Sequence, residues 1–200
     1  MTDRPEPTFR LFFAFELTQP IRELAAKTQS TLIDRVGRRD VRWTQPVDMH
    51  ITALFLGNYS NTRLSTFEAC GSAVANAATP FDLTIGGLGR FPERGSPRVL
   101  WVGGREDEQN PASALIDGLR AYLSDFKLDT KSFKPHITLG YVREDANRLA
   151  IERAIEAGRS TNEGTLRVER LVLMQTISDA ARRKSGDARY TIVHTFPFGS

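Results

Sequence analysis

The chain has 200 residues, of which 40% are hydrophobic and 26% charged, with a net charge of +3 and a pI of about 9.2. These values are ordinary for a soluble globular protein and allow one domain with a sizeable core. They exclude a transmembrane helix, because no apolar run approaches about eighteen residues, and they exclude a basic tail of like charges.

The N-terminal residues 1–8 predict an unstructured lead without a signal-peptide pattern. The single cysteine, Cys70, rules out an intrachain disulfide, and its position in a predicted helix indicates a small buried residue rather than a reactive thiol. Together these features favour a cytoplasmic location.

The first half of the chain opens with a near-continuous apolar run at 10–17, which predicts a buried strand. Thr18 is predicted to cap a helix with Pro20 in its first turn, and Gly37 to end it. The elements predicted next are a histidine-containing strand from 49, a turn at 57–60, a helix at 62–78, a strand at 81–85 that ends in two glycines, and a loop at 91–97.

The second half repeats this order. Asn110 and Pro111 mark the start of a helix, with Leu115, Leu119, Tyr122 and Phe126 predicted on one face. The other predicted elements are a strand at 98–102, a connection at 127–134, a second histidine-containing strand, a helix capped by Asp145 that runs to 157, a strand at 166–173, a polar loop at 178–189, and a final strand at 190–194.

Both halves therefore contain strand, helix, histidine strand, helix and strand. The separation of corresponding elements is nearly constant, which indicates duplication of one unit rather than a solenoid of shorter repeats. We predict one α+β domain over residues 1–200 with two interleaved, pseudo-symmetric lobes. The approximate repeat units are 9–89 and 97–174, with a final strand at 189–196.

Two of the three histidines open the same tripeptide, His50-Ile51-Thr52 and His136-Ile137-Thr138. Successive side chains of a strand point to opposite faces, so the histidine and threonine of each copy share one face. Ile51 and Ile137 are predicted to point into the core. If a two-fold axis relates the copies, the two pairs face each other across a groove.

Two opposed imidazoles can serve as proton acceptor and proton donor in one displacement, and each threonine hydroxyl can hydrogen-bond an anionic oxygen. Opening a phosphodiester requires this set of groups. His194 has no threonine two residues on, and we interpret it as structural or surface-exposed.

The sequence predicts no metal and no cofactor. Two histidines without an organised cluster of cysteines or carboxylates are a poor ligand set. Glu68, Asp82 and Asp145 lie near turns or helix ends, where capping or solvation explains them.

With its two His-x-Thr motifs on a duplicated α+β scaffold, the chain resembles the two-histidine (2H) phosphoesterases, and more closely the RNA 2′,3′-cyclic phosphodiesterases, long called 2′-5′ RNA ligases. The resemblance covers nearly the whole chain. Its matching segments are RLFFA at 10–14, the segment 42–57 with HITALFLG, SPRVLWVG at 96–103, KPHITL at 134–139, and 190–197.

The resemblance implies antiparallel sheets that face a central groove, with helices outside. It also implies metal-independent hydrolysis of a 2′,3′-cyclic phosphate RNA end to a 2′-phosphomonoester, with reversible 2′-5′ RNA joining. His50 would be the proton donor and His136 the proton acceptor, although the residues alone do not assign these roles. Thr52 and Thr138 would hold the phosphate oxygens.

One position departs from the pattern of the family. Many relatives have a basic residue, usually arginine, three positions after the second threonine, where this chain has Tyr141. The next basic residue, Arg143, would share a face with His136 only if a bulge intervened. Tyr141 and Arg143 are therefore candidate substrate-binding residues, with Tyr141 as a hydrogen-bond donor or a base-stacking ring.

The predicted partner is RNA with a 2′,3′-cyclic phosphate end, which calls for a basic rim and aromatic platforms. The individual candidates, each also explained as a solvated charge or a packed ring, are Arg38, Arg39, Arg42, Lys131, Lys134, Arg182, Arg183, Lys184, Trp43 and Phe91. Two alternatives stay open: a small nucleotide-derived cyclic phosphate, such as ADP-ribose 1″,2″-cyclic phosphate, and a non-catalytic module that binds RNA ends. We expect a monomer that does not bind membranes.

Overall fold

The computed structural model describes residues 8–159, 163–177 and 188–199. This part of the chain forms a curled antiparallel sheet with four α-helices. The strands are β1 (Thr8–Phe15), β2 (Val41–Trp43), β3 (Ile51–Ser60), β4 (Phe81–Phe91), β5 (Val99–Arg105), β6 (His136–Val142), β7 (Gly164–Val168), β8 (Arg170–Thr176) and β9 (Tyr190–Pro197). The helices are α1 (Gln19–Val36), α2 (Leu64–Ala77), α3 (Pro111–Tyr122) and α4 (Arg148–Ala157).

The sheet consists of two halves that meet at one residue pair. The strand order is β7-β4-β5-β6-β3-β1-β8-β9, with β2 added on β6. Between the described residues of β6 and β3, the pairing is confined to Ile51 and Ile137. The predicted α+β class is confirmed, and the two predicted sheets are joined into one by this short contact.

The two halves repeat one pairing register. In the first half, Phe12 lies opposite Phe55 and Ala14 opposite Thr52. In the second half, the equivalent pairs are Val99 with Tyr141 and Trp101 with Thr138. The closing strands are exchanged, because β4 from the first half pairs with β5 and β8 from the second half pairs with β1.

The helices pack on the face of the sheet opposite the groove. Helices α1 and α4 cover the half that contains β4 to β7, and α2 and α3 cover the other half. Phe13, Phe15, Ile51, Phe67 and Ile137 are fully buried between these layers. Burial of each such side chain stabilises the fold by about 1.5–3 kcal/mol relative to exposure.

Helix α1 agrees closely with its sequence signals. It begins at Gln19 with Pro20 in the first turn, and Gly37 ends it with a φ of 88°. Thr18 occupies the N-cap position, but its side chain makes no capping hydrogen bond. Cys70 is buried in α2, as predicted, and burial raises the pKa of its thiol to about 12.

Two predicted strand ends are wrong, because glycines read as turns are bulges within longer strands. Strand β3 continues through the predicted turn at 57–60, and Gly57 has a φ of 115° while it pairs with Leu11. Strand β4 continues past Gly86 and Gly87 to Phe91, with a pairing irregularity between Ile85 and Leu88. Glycine is favoured both in a turn that ends a strand and in a bulge within a strand, so the sequence alone does not distinguish the two.

The predicted strand at 166–173 is two strands. Residues 164–168 pair with β4 and residues 172–175 pair with β1, so the chain changes from one half of the sheet to the other at Glu169. The segment 166–173 contains no glycine or proline that would mark this change of partner. Both segments are buried against helices, which is why their patterns look alike.

The ends of α3 and α4 also differ from the prediction. The N-cap of α4 is Asn147, whose side chain accepts a 3.1 Å hydrogen bond from the Ala150 N–H, whereas Asp145 lies outside the helix. Tyr122 at the end of α3 is 51% exposed rather than packed inward. Phe126 lies beyond α3 and reaches the core against Phe67.

Candidate active site

Both His-Ile-Thr copies line one groove between the halves of the sheet, with a volume of about 490 Å³. His50 and Thr52 come from the first copy, at the start of β3, and His136 and Thr138 come from β6. Ile51 and Ile137 point the other way and are fully buried. The structure therefore brings together the four side chains that the strand alternation predicts.

The two imidazoles are held by the same backbone interaction. The Nδ1 atom of His50 lies 2.8 Å from the carbonyl oxygen of Asp48, and that of His136 lies 2.7 Å from the carbonyl oxygen of Lys134. A carbonyl oxygen only accepts hydrogen bonds, so Nδ1 carries the proton in each ring. In the neutral ring Nε2 is then an acceptor, and in the protonated ring it is a donor.

Aromatic rings fix the orientation of each imidazole. His50 stacks on Phe12 with ring centroids 5.1 Å apart, and Tyr190 meets it edge-on at 4.9 Å. His136 meets Phe91 edge-on at 4.9 Å and lies 6.3 Å from Trp101. These walls restrict ring rotation, so a substrate would meet imidazoles that are already oriented.

Gly89 makes room for the wall behind His136. A Cβ at this position would lie 2.0 Å from the Trp101 ring, so a larger residue would displace the indole. Trp101 in turn lies beneath the Lys134 ammonium, 5.3 Å from its ring centroid. The glycine thus supports the packing that orients His136 indirectly, through the indole.

Burial sets the protonation of the pair. Burial lowers the pKa of His50 below 6.5, despite the opposing effects of the Asp48 carbonyl and carboxylate. Burial likewise lowers the pKa of His136, although its hydrogen bond to Lys134 opposes the shift. Neutral pH therefore favours two neutral imidazoles, and an arriving anion favours protonation of one of them.

A bulge after each threonine brings an aromatic ring into the groove. Ala53 in β3 and Leu139 in β6 are unpaired at the register shift, which returns the third residue after each threonine to the groove face. These residues are Phe55 and Tyr141, and both line the groove. Sequence reasoning missed Phe55, although its spacing from Thr52 matches that of Tyr141 from Thr138.

Arg143 lies outside the groove lining. The bulge that could have brought it to the face of His136 is present, but β6 ends at Val142, and the exposed Arg143 donates its backbone N–H to Asp40. The arginines that do line the groove in the described part of the chain are Arg10, Arg42 and Arg189. Arg42 lies 4.8 Å above the Tyr141 ring, and Arg10 lies 5.4 Å from the Phe55 ring.

The other residues predicted for the rim differ in where they lie. Arg42, Trp43 and Phe91 line the groove, whereas Arg38 and Arg39 are exposed away from it. Lys131 pairs with Asp129, and Lys134 pairs with Glu93 beside the Phe91 ring. Arg182, Arg183 and Lys184 lie outside the described residues.

Asp48 connects the first motif to the last strand. The residue is 7% exposed, its carboxylate accepts a 2.6 Å hydrogen bond from the Arg189 N–H, and its carbonyl accepts one from His50. The contact places Tyr190 against His50. Sequence reasoning missed Asp48, because the link joins positions 141 residues apart.

The remaining acidic residues and the third histidine lie away from this groove. His194 contacts Glu68 at 3.8 Å and stacks on Phe196, and Asp82 pairs with Arg167. Within residues 8–159, 163–177 and 188–199, no three histidine, cysteine or acidic side chains group as metal ligands. In the same ranges no helix is both long and apolar enough to cross a membrane.

Comparison with known proteins agrees with the motif-based resemblance. The family model of the 2′-5′ RNA ligase superfamily matches residues 15–180. The RNA 2′,3′-cyclic phosphodiesterase of Archaeoglobus fulgidus is 35% identical over 136 residues, covering 67% of this chain and 73% of the relative. That of Thermus thermophilus is 32% identical over 148 residues, covering 70% and 72%.

Solved structures share the whole fold. A crystal structure of a Thermus thermophilus protein has a TM-score of 0.76 at 25% identity, covering 96% of this chain and 99% of that one. LigT from E. coli in its apo form has a TM-score of 0.72 at 21% identity and covers 98% of this chain and 100% of that one. With the family match over most of its length, this chain belongs to the 2′-5′ RNA ligase superfamily.

Proposed function

We propose that this protein is an RNA 2′,3′-cyclic phosphodiesterase that opens the cyclic phosphate to a 2′-phosphomonoester without a metal ion. The observation that carries the proposal is the matched pair of imidazoles in one groove, each with Nδ1 bonded to a carbonyl two residues earlier. Two relatives that carry this activity in their names, each at least 32% identical, support the same substrate class.

In the proposed reaction, one neutral imidazole takes a proton from water as the water oxygen attacks phosphorus. The bond from phosphorus to the ribose 3′-oxygen breaks, and the second histidine, as imidazolium, donates a proton to that oxygen. The products are a 2′-phosphate and a free 3′-hydroxyl. Each proton transfer by a positioned group contributes a factor of about 10²–10⁴.

We assign His136 as the acceptor and His50 as the donor, following the pattern of the family. The two rings share the same Nδ1 contact with a backbone carbonyl, and this symmetry suits a reversible reaction in which each histidine can exchange roles. Attack by a 5′-hydroxyl in place of water would join two RNA ends through a 2′-5′ linkage.

The two threonines complete the proposed phosphate site. Among the described residues, neither the Thr52 nor the Thr138 hydroxyl is engaged in a hydrogen bond, and both line the groove. We assign them as donors to the two non-bridging oxygens, whose negative charge increases as water adds.

A small cyclic phosphate is the second candidate substrate. The groove volume of about 490 Å³ lies within the range of sites for small organic ligands, and the aromatic lining suits a nucleoside. A non-catalytic module that binds RNA ends is the third candidate. Monomeric state and cytoplasmic location stay predictions.

The test is incubation of the protein in excess EDTA with an RNA oligomer that ends in a 2′,3′-cyclic phosphate, beside the matching mononucleotide. We expect conversion of the oligomer to the 2′-phosphate, read by mass and chromatography, at the same rate with and without EDTA. Turnover of the mononucleotide alone would favour the small-molecule candidate. Tight oligomer binding without turnover would instead indicate the binding module.

The pH dependence should reflect the lowered pKa values. A group with a lowered pKa loses its proton at lower pH, so the loss of the imidazolium donor begins below the usual histidine value of 6.5. Because kcat/KM reports the free enzyme, its bell-shaped profile should have its maximum below pH 6.5.

The profile of kcat should extend to higher pH than that of kcat/KM, because a bound phosphate anion stabilises the imidazolium. Steady-state rates measured from about pH 4.5 to pH 8.5 would give both profiles. A kcat/KM maximum above about pH 7 would contradict the assignment of buried histidines to both roles.

A further inference from the structure

One polar residue interrupts the buried face of α1. The other three buried residues of this helix are apolar, but Gln29 is a glutamine that is 7% exposed. A buried amide costs free energy unless its hydrogen bonds are made. Its Nε2 atom donates to two backbone carbonyls, that of Thr44 at 2.7 Å and that of Leu139 at 2.8 Å. An apolar side chain would fill the same space, so the glutamine is explained by these two contacts rather than by packing.

The two carbonyls belong to the segments that carry the two motifs. Leu139 follows Thr138 directly and is the residue left unpaired at the register shift between β5 and β6. Thr44 follows β2 and begins the connection that leads to His50. The Thr44 N–H also donates to the Leu139 carbonyl, at 2.9 Å, so that carbonyl accepts two hydrogen bonds. Gln29 thus completes a cluster of hydrogen bonds in which both motif segments take part.

The contact between the two halves of the sheet is short at this place. In the described part of the chain, β3 and β6 meet at one residue pair, and β2 adds three pairs on β6, of which the last joins Trp43 and Gly140. Thr44 and Leu139 lie one residue beyond that last pair, on the side of the motifs. The Gln29 amide therefore fixes the end of the ladder that is nearest to the motifs.

A second side chain of α1 holds one of the two segments. Arg22 lies seven residues before Gln29, and so on the same side of the helix. It donates to the carbonyls of Pro46 and Met49, at 2.8 and 3.3 Å. Among the side chains that the structure describes, the Gln29 amide is the one that bonds the segments of both motifs.

We propose that Gln29 is a positioning residue, which sets the separation and relative orientation of His50 and His136 through the carbonyls of Thr44 and Leu139. This inference rests on the proposed function, because the two imidazoles must act on the same phosphorus. They come from different halves of the sheet, so their alignment depends on the junction as well as on each half. A misplacement of about 1 Å can lower a rate by about a hundredfold.

The first variant is Gln29→Leu, which removes both hydrogen bonds and keeps a buried side chain of similar size. Its kcat for a mononucleotide 2′,3′-cyclic phosphate should be lower than that of the parent by about tenfold to a hundredfold. KM should stay within about threefold, because no residue of the groove lining is replaced. Gln29→Met keeps an unbranched side chain without the amide and should lower kcat in the same way.

The decisive measurement is the same substitution in the His50→Ala background. That variant has a single motif histidine, so there is no pair of imidazoles left to align. Gln29→Leu should therefore lower its remaining kcat by less than about threefold. A purely structural role would instead give the same loss in both backgrounds.

Two controls separate this effect from a loss of stability. Thr28→Val changes the neighbouring residue of α1, whose hydroxyl donates to the Leu24 carbonyl within the same helix, and should leave kcat within about twofold. Ile116→Ala creates a cavity in the core below α3, on the other half of the sheet. It should lower Tm but leave the kcat of the folded protein within about twofold.

An equal loss of kcat in the parent and in the His50→Ala background would overturn the proposal. So would a loss for Gln29→Leu no larger than that for Ile116→Ala at the same decrease in Tm. If neither the leucine nor the methionine variant folds, Gln29 has a structural role alone, and the proposal is wrong.

Absence of turnover by the parent protein is a failure of the proposed function instead. In that case an NMR titration of the ring protons of His50 and His136 tests the alignment, because burial and, to a lesser extent, the charge of His136 lower the pKa of His50. Gln29→Leu should change this pKa, and Ile116→Ala should not. Equal pKa values of both histidines in the parent and in Gln29→Leu would then reject the proposal.

Discussion

Replacement of either His50 or His136 by alanine is expected to lower kcat for cyclic phosphate opening by at least about a hundredfold. Each imidazole is the oriented acid–base group of its own half, with Nδ1 occupied by a carbonyl and Nε2 left for proton transfer. Because donor and acceptor act in one displacement, the double variant should lose little more than either single variant.

A matched control for this prediction exists in the same chain. His194→Ala removes the third histidine, which pairs with Glu68 outside the groove, and should leave kcat within about twofold of the parent. His50→Gln and His136→Gln keep a polar side chain of similar size where alanine would leave a cavity beside Phe12 or Phe91. A folded His50 or His136 variant with more than about a tenth of the parent kcat would reject the paired mechanism.

Replacement of Thr52 or Thr138 by valine should lower kcat by about 10²–10³, as removal of a preorganised oxyanion donor does. Valine keeps the shape of threonine and removes its hydroxyl, so the strand and the bulge after it should persist. Stopped-assay rates at saturating substrate measure this effect directly. KM should change less than kcat, because the hydrogen bonds strengthen as charge develops on the phosphate oxygens.

The serine variants provide the control. Thr52→Ser and Thr138→Ser keep the hydroxyl and should retain most of the parent rate. Thr176→Val removes the hydroxyl of a groove-lining threonine that belongs to neither His-x-Thr motif, and a loss as large there would indicate a general disturbance. Valine variants at 52 and 138 that stay within about fivefold of the parent would remove the threonines from the phosphate site.

Local sequence rules were sufficient to identify the family and the centre of the site. Strand alternation puts His50 beside Thr52 and His136 beside Thr138. It can be predicted from the sequence because it relates residues that are only two positions apart. The repeated tripeptide then marks the two copies, and the resemblance built on it is confirmed by the family match. The single-domain boundaries and the roles of the four residues stay predictions.

Structural features that depend on contacts between residues far apart in the sequence could not be predicted from local patterns. The bulges at Ala53 and Leu139 are defined by which residues of β1 and β5 lie opposite, whereas simple strand alternation puts Phe55 on the face away from Thr52. The change of partner at Glu169 and the hydrogen bond from Arg189 to Asp48 also need the folded chain. Glycine signals at Gly57 and Gly87 were ambiguous, since bulges and turns favour the same residue.

The exchange of closing strands has a consequence for how the molecule could have arisen. Strand β4 completes the sheet that holds His136, and β8 completes the sheet that holds His50. A half-chain that carries one histidine would therefore leave the backbone groups of one edge strand unpaired. Its last strand would pair with the sheet of another copy. An ancestor of half this length would have been an obligate strand-swapped homodimer, in which one active centre formed on the two-fold axis before gene fusion joined the copies.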